Sequence, residues 1–204
     1  MKWLAVALAL LAAGGVATVA RANGDPASDV LPFKPVFLST QEPSSSDAGE
    51  NLLFLADEAK KRKLEIRVAV IAQQSDLGLV QSLWRKPQAY ANFLGRELIT
   101  FSRYHGTLLV AMPNGFGVFG PGATPRAAQA LAALPKPGTG NVEPLGNDTA
   151  TAMRRVAAAN GRPLPAERPG SGTPAWVFVL AALAGTTLIA GLVFFAMRRW
   201  LTSP

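Results

Sequence analysis

Leu64-Glu65-Ile66-Arg67-Val68-Ala69-Val70-Ile71-Ala72 and Gly106-Thr107-Leu108-Leu109-Val110-Ala111-Met112 are the two stretches that decide the fold. The first alternates and then turns continuously apolar, the pattern of a strand covered on one face at its start and on both faces later. The second is apolar almost throughout. Between them Pro87 opens a helix expected to reach about Phe101, because proline is tolerated at the first helical position and not deeper. Tyr90, Phe93, Leu94 and Leu98 give that helix one buried stripe. Two strands joined by a long helical crossover are expected to lie parallel. Pro113-Asn114-Gly115 reads as a turn, with Asn-Gly the strongest hairpin signal, so Phe116–Phe119 should return as an antiparallel edge.

Working outward, Asp47 with Glu50 three residues on has capping-box spacing. Leu52, Leu55 and Ala59 then recur at helical intervals, opposite Asp57, Glu58 and the cluster Lys60-Lys61-Arg62-Lys63. The residues between Asn23 and this helix read as an irregular arm. Gln73–Gly78 is expected to be a loop and Leu79–Leu83 a helical turn. Further helices are expected at about Pro125–Leu134 and Asp148–Asn160, the latter stopped by Gly161. The class is α/β: a small mixed sheet flanked by helices, plus one C-terminal transmembrane helix.

That last helix rests on Ala175–Met197, 23 residues without a charge that end at Arg198-Arg199-Trp200. At ~1.5 Å per residue the run is about 34 Å long, enough to cross a ~30 Å hydrocarbon core. At the other end, Lys2, an apolar stretch from Trp3 to Ala13 and the small-residue site Ala20-Arg21-Ala22 have the layout of a secretory signal, residues 1–22. An uncleaved anchor is the rival reading of Trp3–Ala20. The positive-inside rule puts residues 198–204 in the cytoplasm and 23–174 outside, on a single-pass protein of the cell membrane. Residues 135–174 are expected to hold a helix and then, from Gly161 to Pro174, a linker rich in proline and glycine.

Composition removes several classes. With no cysteine, disulfides and thiolate metal sites are excluded. The net charge of +7 is mostly terminal: without Lys2, Arg21, Arg198 and Arg199 the external part has 16 basic against 13 acidic residues. The basic cluster at 60–63 is better read as cations complementing a helix C-terminus than as a nucleic-acid footprint, so no nucleic-acid partner is expected. Anionic lipid headgroups are a weaker reading of it.

Ile66–Ile71, Ser75-Asp76-Leu77-Gly78, Tyr90-Ala91-Asn92-Phe93-Leu94, His105-Gly106-Thr107-Leu108-Leu109-Val110-Ala111 and Gly117-Val118-Phe119-Gly120, in that order, resemble the TPM domain. That family is named for a thylakoid phosphatase-like protein, a photosystem-repair factor and a receptor modulator. The resemblance covers about Asp29 to Gly122 and places the domain at residues 23–134. Leu83-Trp84-Arg85-Lys86-Pro87-Gln88 and Met112-Pro113-Asn114-Gly115-Phe116-Gly117 resemble a bacterial membrane-anchored subgroup without a settled function.

The resemblance implies two functions. The first is divalent-metal-dependent acid phosphatase activity, whose matching metal positions here are Asp29 and Asp76. Gly120-Pro121-Gly122-Ala123-Thr124 lacks the acid that many relatives have after the last strand, so affinity for calcium or magnesium is expected to be weak or absent. Asp76 as an ordinary turn residue is the favoured reading. The second is a non-enzymatic binding module for envelope or membrane complexes. A tether gives partners in the same membrane a high effective concentration, and Thr187 with Gly191 could permit close helix contact. The binding module is preferred and no catalytic residue is assigned.

Other motifs carry less. His105 is the sole histidine and reads as a surface loop residue. Gly115, Gly117, Gly120 and Gly122 read as turn and bulge glycines, because a phosphate loop should lead straight into a helix with Lys and Ser or Thr. Trp84 is a partner-facing aromatic or a core cap. Asn147-Asp148-Thr149 fits a glycosylation pattern, although Asp148 as a helix cap suffices.

Overall fold

A computed structural model describes residues 24–39 and 46–166. The expected secretory signal at 1–22, the Ala175–Met197 run and the expected cytoplasmic tail at 198–204 lie outside the described residues. Among the described residues no helix is long and apolar enough to cross a membrane.

The element order is α1 (Pro26–Val30), β1 (Val36–Phe37), α2 (Asp47–Lys61), β2 (Ile66–Val70), two 3₁₀ turns (Gln74–Leu77 and Gln81–Leu83), α3 (Pro87–Ser102), β3 (Thr107–Met112), β4 (Gly115–Phe119), α4 (Pro125–Ala132) and α5 (Val142–Ala159). The strands form one sheet in the order β1-β2-β3-β4. β1, β2 and β3 are parallel, with Val36 beside Val68 and Val68 beside Leu109. β4 runs antiparallel, with Val118 beside Leu109. The α/β class with a small mixed sheet is thus as expected.

Strand alternation sends successive side chains to opposite faces, and both faces are covered. Val36, Ile66, Val68, Val70, Leu109 and Val118 pack against α2, α4 and α5. Phe37, Ala69, Ile71, Leu108, Val110 and Met112 pack against α1 and α3. All six residues of β3 are buried, which explains why five of them, Leu108 to Met112, are apolar.

Several boundaries differ from the sequence expectation. The cap of α2 is Ser46, whose Oγ accepts from Gly49 N–H at 3.1 Å, and Asp47 is already helical. The far end of α2 closes in a Schellman arrangement. Leu64 N–H reaches Ala59 O at 2.9 Å and Lys63 N–H reaches Lys60 O at 2.9 Å, with Lys63 left-handed at φ 56°. Lys61 pairs with Asp57 and Glu58, and Arg62 with Glu58, so two of the clustered cations are neutralised within their own helix.

The last helix begins at Val142 and not at Asp148, so Asp148 is not its cap. Pro144 and Gly146 are responsible for the difference. Proline in the first turn needs no N–H partner. Gly146 is where α5 crosses α2, and a Cβ there would come 2.7 Å from Ala48 Cβ. Glu143 Oε1 accepts from Ala48 N–H at 2.9 Å, so α5 also satisfies the start of α2. Thr149 is buried and donates to Leu145 O at 2.6 Å within that helix.

The hairpin turn sits one residue earlier than Asn-Gly implies. Met112 pairs with Gly115, leaving Pro113-Asn114 as the connection. Pro113 presets the φ of the first turn position, and Gly115 opens β4 at φ 143°.

Candidate functional site

Parallel strands leave their C-terminal ends at one edge of the sheet, the usual place for a ligand in this class. Ser39 follows β1 and Asp76 follows β2 at that edge. Both are fully buried. Asp76 Oδ1 accepts from Ser39 Oγ at 2.7 Å. Its Oδ2 accepts from Ala72 N–H at 2.9 Å and from Gln73 N–H at 2.8 Å. One carboxylate therefore ties the exits of two neighbouring strands and closes a capping box over the 3₁₀ turn Gln74–Leu77. Three donors converge on it, the arrangement by which buried charge is kept in place.

Asp29 stands on α1, which packs against the 3₁₀ turn that carries Asp76, and its electrostatic neighbours include Asp25, and Glu97 of α3. Among the described residues no group of three or more His, Asp or Glu is placed to hold a metal ion.

The group that sequence reading passed over is Asp25. It caps α1, with Oδ1 accepting from Ala27 N–H at 3.2 Å and from the Tyr90 hydroxyl at 2.7 Å. It is 3% exposed, and its Oδ2 has no partner among the described residues. Burial pushes its carboxyl up to about 6, against the lowering effect of Tyr90 and Ala27, with Glu97 and Asp29 adding like charge. Burial and the Asp25 charge hold the Tyr90 phenol well above its ordinary value. Asp25-Pro26 at the end of an apparent arm was the only local signal, an N-cap before a proline at N1.

His105 is exposed between α3 and β3. Trp84 is half-buried against the core under α3. Gly120 has φ 90°, and Gly122 N–H donates to Thr107 Oγ1 at 2.9 Å as the chain turns toward α4.

A groove of about 370 Å³ runs along the outer edge of β4, lined by Phe116 and Val118, by Gln88, by Leu131 and Leu134, and by Lys136. Gln88 clips the strand there. Its Oε1 accepts from Val118 N–H at 3.1 Å and its Nε2 donates to Val118 O at 2.9 Å. A side-chain amide thus fills the place of a neighbouring strand's peptide group.

Compared with family models, with curated proteins and with solved structures, the chain matches none.

Proposed function

We propose that this chain is a TPM-like module, held on the outer side of the cell membrane by Ala175–Met197, that works by binding other membrane or envelope proteins. One observation supports it above others. The carboxylate at the strand exits is consumed by Ser39, Ala72 and Gln73, whereas the β4 edge opens on an apolar groove with Lys136, which has no ion pair among the described residues, at its rim. Buried, fully bonded Asp76 suits a structural role, and a phosphatase using Asp29 and Asp76 finds less support.

The test is crosslinking in intact cells, with a photoreactive residue placed in turn at exposed positions of the full chain, Phe33, Phe101 and Lys136 among them. A binding module gives reproducible adducts at one surface. A passive spacer gives none at any position, and that result would remove the proposal. External protease on sealed cells checks the orientation, since residues 23–174 should be cut and the C-terminal tail protected.

A further inference from the structure

β4 is an outer strand of the sheet. In an antiparallel pair, residues alternate between those that exchange hydrogen bonds across the pair and those whose N–H and C=O point away. Val118, opposite Leu109, directs both groups outward to Gln88. Phe116, opposite Ala111, is two residues away and in the same phase, so its N–H and C=O also point outward, into the groove. Among the described residues no side chain clips Phe116 as Gln88 clips Val118.

The shape of the groove selects its occupant. Pro87 and Gln88 at the start of α3 and Leu131 and Leu134 at the end of α4 flank the β4 edge, and the groove of about 370 Å³ between them is of a size for one extended segment. At the hairpin end the groove is closed, because Gly138 N–H donates to Pro113 O at 2.7 Å and carries residues 136–138 across the turn. Lys136 stands at this closed end and makes no ion pair among the described residues. A strand antiparallel to β4 would bring its C-terminus there.

We propose that the β4 groove receives the C-terminal segment of a partner protein, which adds as a fifth strand antiparallel to β4 and sets its terminal carboxylate against Lys136. This rests on the binding-module reading and names its partner chemistry. Main-chain bonds to Phe116 give register, and those to Val118 form when Gln88 swings out. Gln88 is exposed and also donates to Asn92 Oδ1 at 3.0 Å, so it is a removable stand-in for the strand. Alternate side chains of the added strand face Leu131 and Leu134, so apolar residues belong at the last and third-last positions.

The test uses the full chain in detergent and a pool of hexapeptides with free carboxyl ends. Val or Leu is fixed at the last and third-last positions, and the others are randomised. Members should be retained, and amidating the carboxyl end or substituting Lys136→Ala should each weaken binding roughly tenfold, the scale of one charge-assisted contact. Gln88→Ala, which clears the edge, should tighten it several-fold. Failure of both the parent and Gln88→Ala to retain any member overturns the proposal, as does equal retention of acids and amides. A dimer formed by Gln88→Ala, seen by sedimentation, also overturns it by making a second copy the occupant. Cell adducts at Phe33 or Phe101 without one at Lys136 would sink the groove alone, and the binding module would stand.

Discussion

The carboxylate of Asp25 accepts the phenolic proton of Tyr90 at 2.7 Å, joining the cap of α1 to the first turns of α3 across 65 residues. Tyr90 is fully buried beneath the sheet, so this contact fixes where the chain enters the domain. The second Asp25 oxygen has no partner among the described residues. The site therefore favours the neutral acid.

The folded chain holds the Asp25 proton to about pH 6, against 3.8 for the ordinary carboxyl. Folded protein then binds more protons than unfolded, so stability falls as pH rises from about 4 to about 6 and levels off above. The difference amounts to about 3 kcal/mol at 1.36 kcal/mol per pH unit. Burial raises Glu97 too, and it slopes the same way. Asp25→Asn keeps the cap and the Tyr90 contact without the charge. It should raise the melting temperature above pH 6, with the gain shrinking toward pH 4. Parallel melting curves for parent and variant from pH 4 to 8 would refute this.

Asp76→Ala removes the acceptor for the Ala72 and Gln73 N–H groups and the Ser39 hydroxyl and should cost about 3 kcal/mol in urea unfolding, as expected when several buried donors lose one shared partner. Millimolar calcium or magnesium should leave the melting temperature of the parent unchanged. A rise of several degrees that Asp76→Ala abolishes would restore the phosphatase reading.

Gly146→Ala should destabilise by about 1–3 kcal/mol, even though alanine is the better helix former by about 1 kcal/mol, because its methyl lands 2.7 Å from Ala48 Cβ. Adding Ala48→Gly removes that clash and should recover much of the loss. Additive losses in the double variant would show that helix contact is not the cause.

Ser46→Ala should cost about 1 kcal/mol through the lost cap, whereas Asp47→Ala should cost a few tenths through the helix dipole. The reverse ranking in thermal unfolding would make Asp47 the functional cap.

Much of the fold was legible because it is written in local periodicity. β2, β3, α2 and α3 are long and carry clean apolar patterns, and Pro87 marks a helix start wherever it packs. β1 was missed because two residues, Val36 and Phe37, make no pattern, and they pair only because β2 lies beside them. α1 was missed because five residues form a stable helix only when tied down, here by Asp25 and Tyr90. The first turns of α5 were missed because Pro144 and Gly146 look like breakers until α2 is seen against them.

The candidate site was less legible, for the same reason. Asp29 and Asp76 came from the family resemblance, and nothing local says that Ser39, 37 residues earlier, takes one oxygen of Asp76. The Gln88 clip on Val118 spans 30 residues and leaves no trace in composition.

The order of residues alone determined the α/β class, the parallel pair β2–β3, the returning edge β4 and the start of α3, since each follows from side-chain period and backbone restriction within one segment. Only the tertiary structure decided which carboxylate is spent, which is left half-bonded and which strand edge stays open. Those outcomes depend on partners 30 or more residues away, and a buried polar group takes its character from whatever the fold brings within hydrogen-bonding distance.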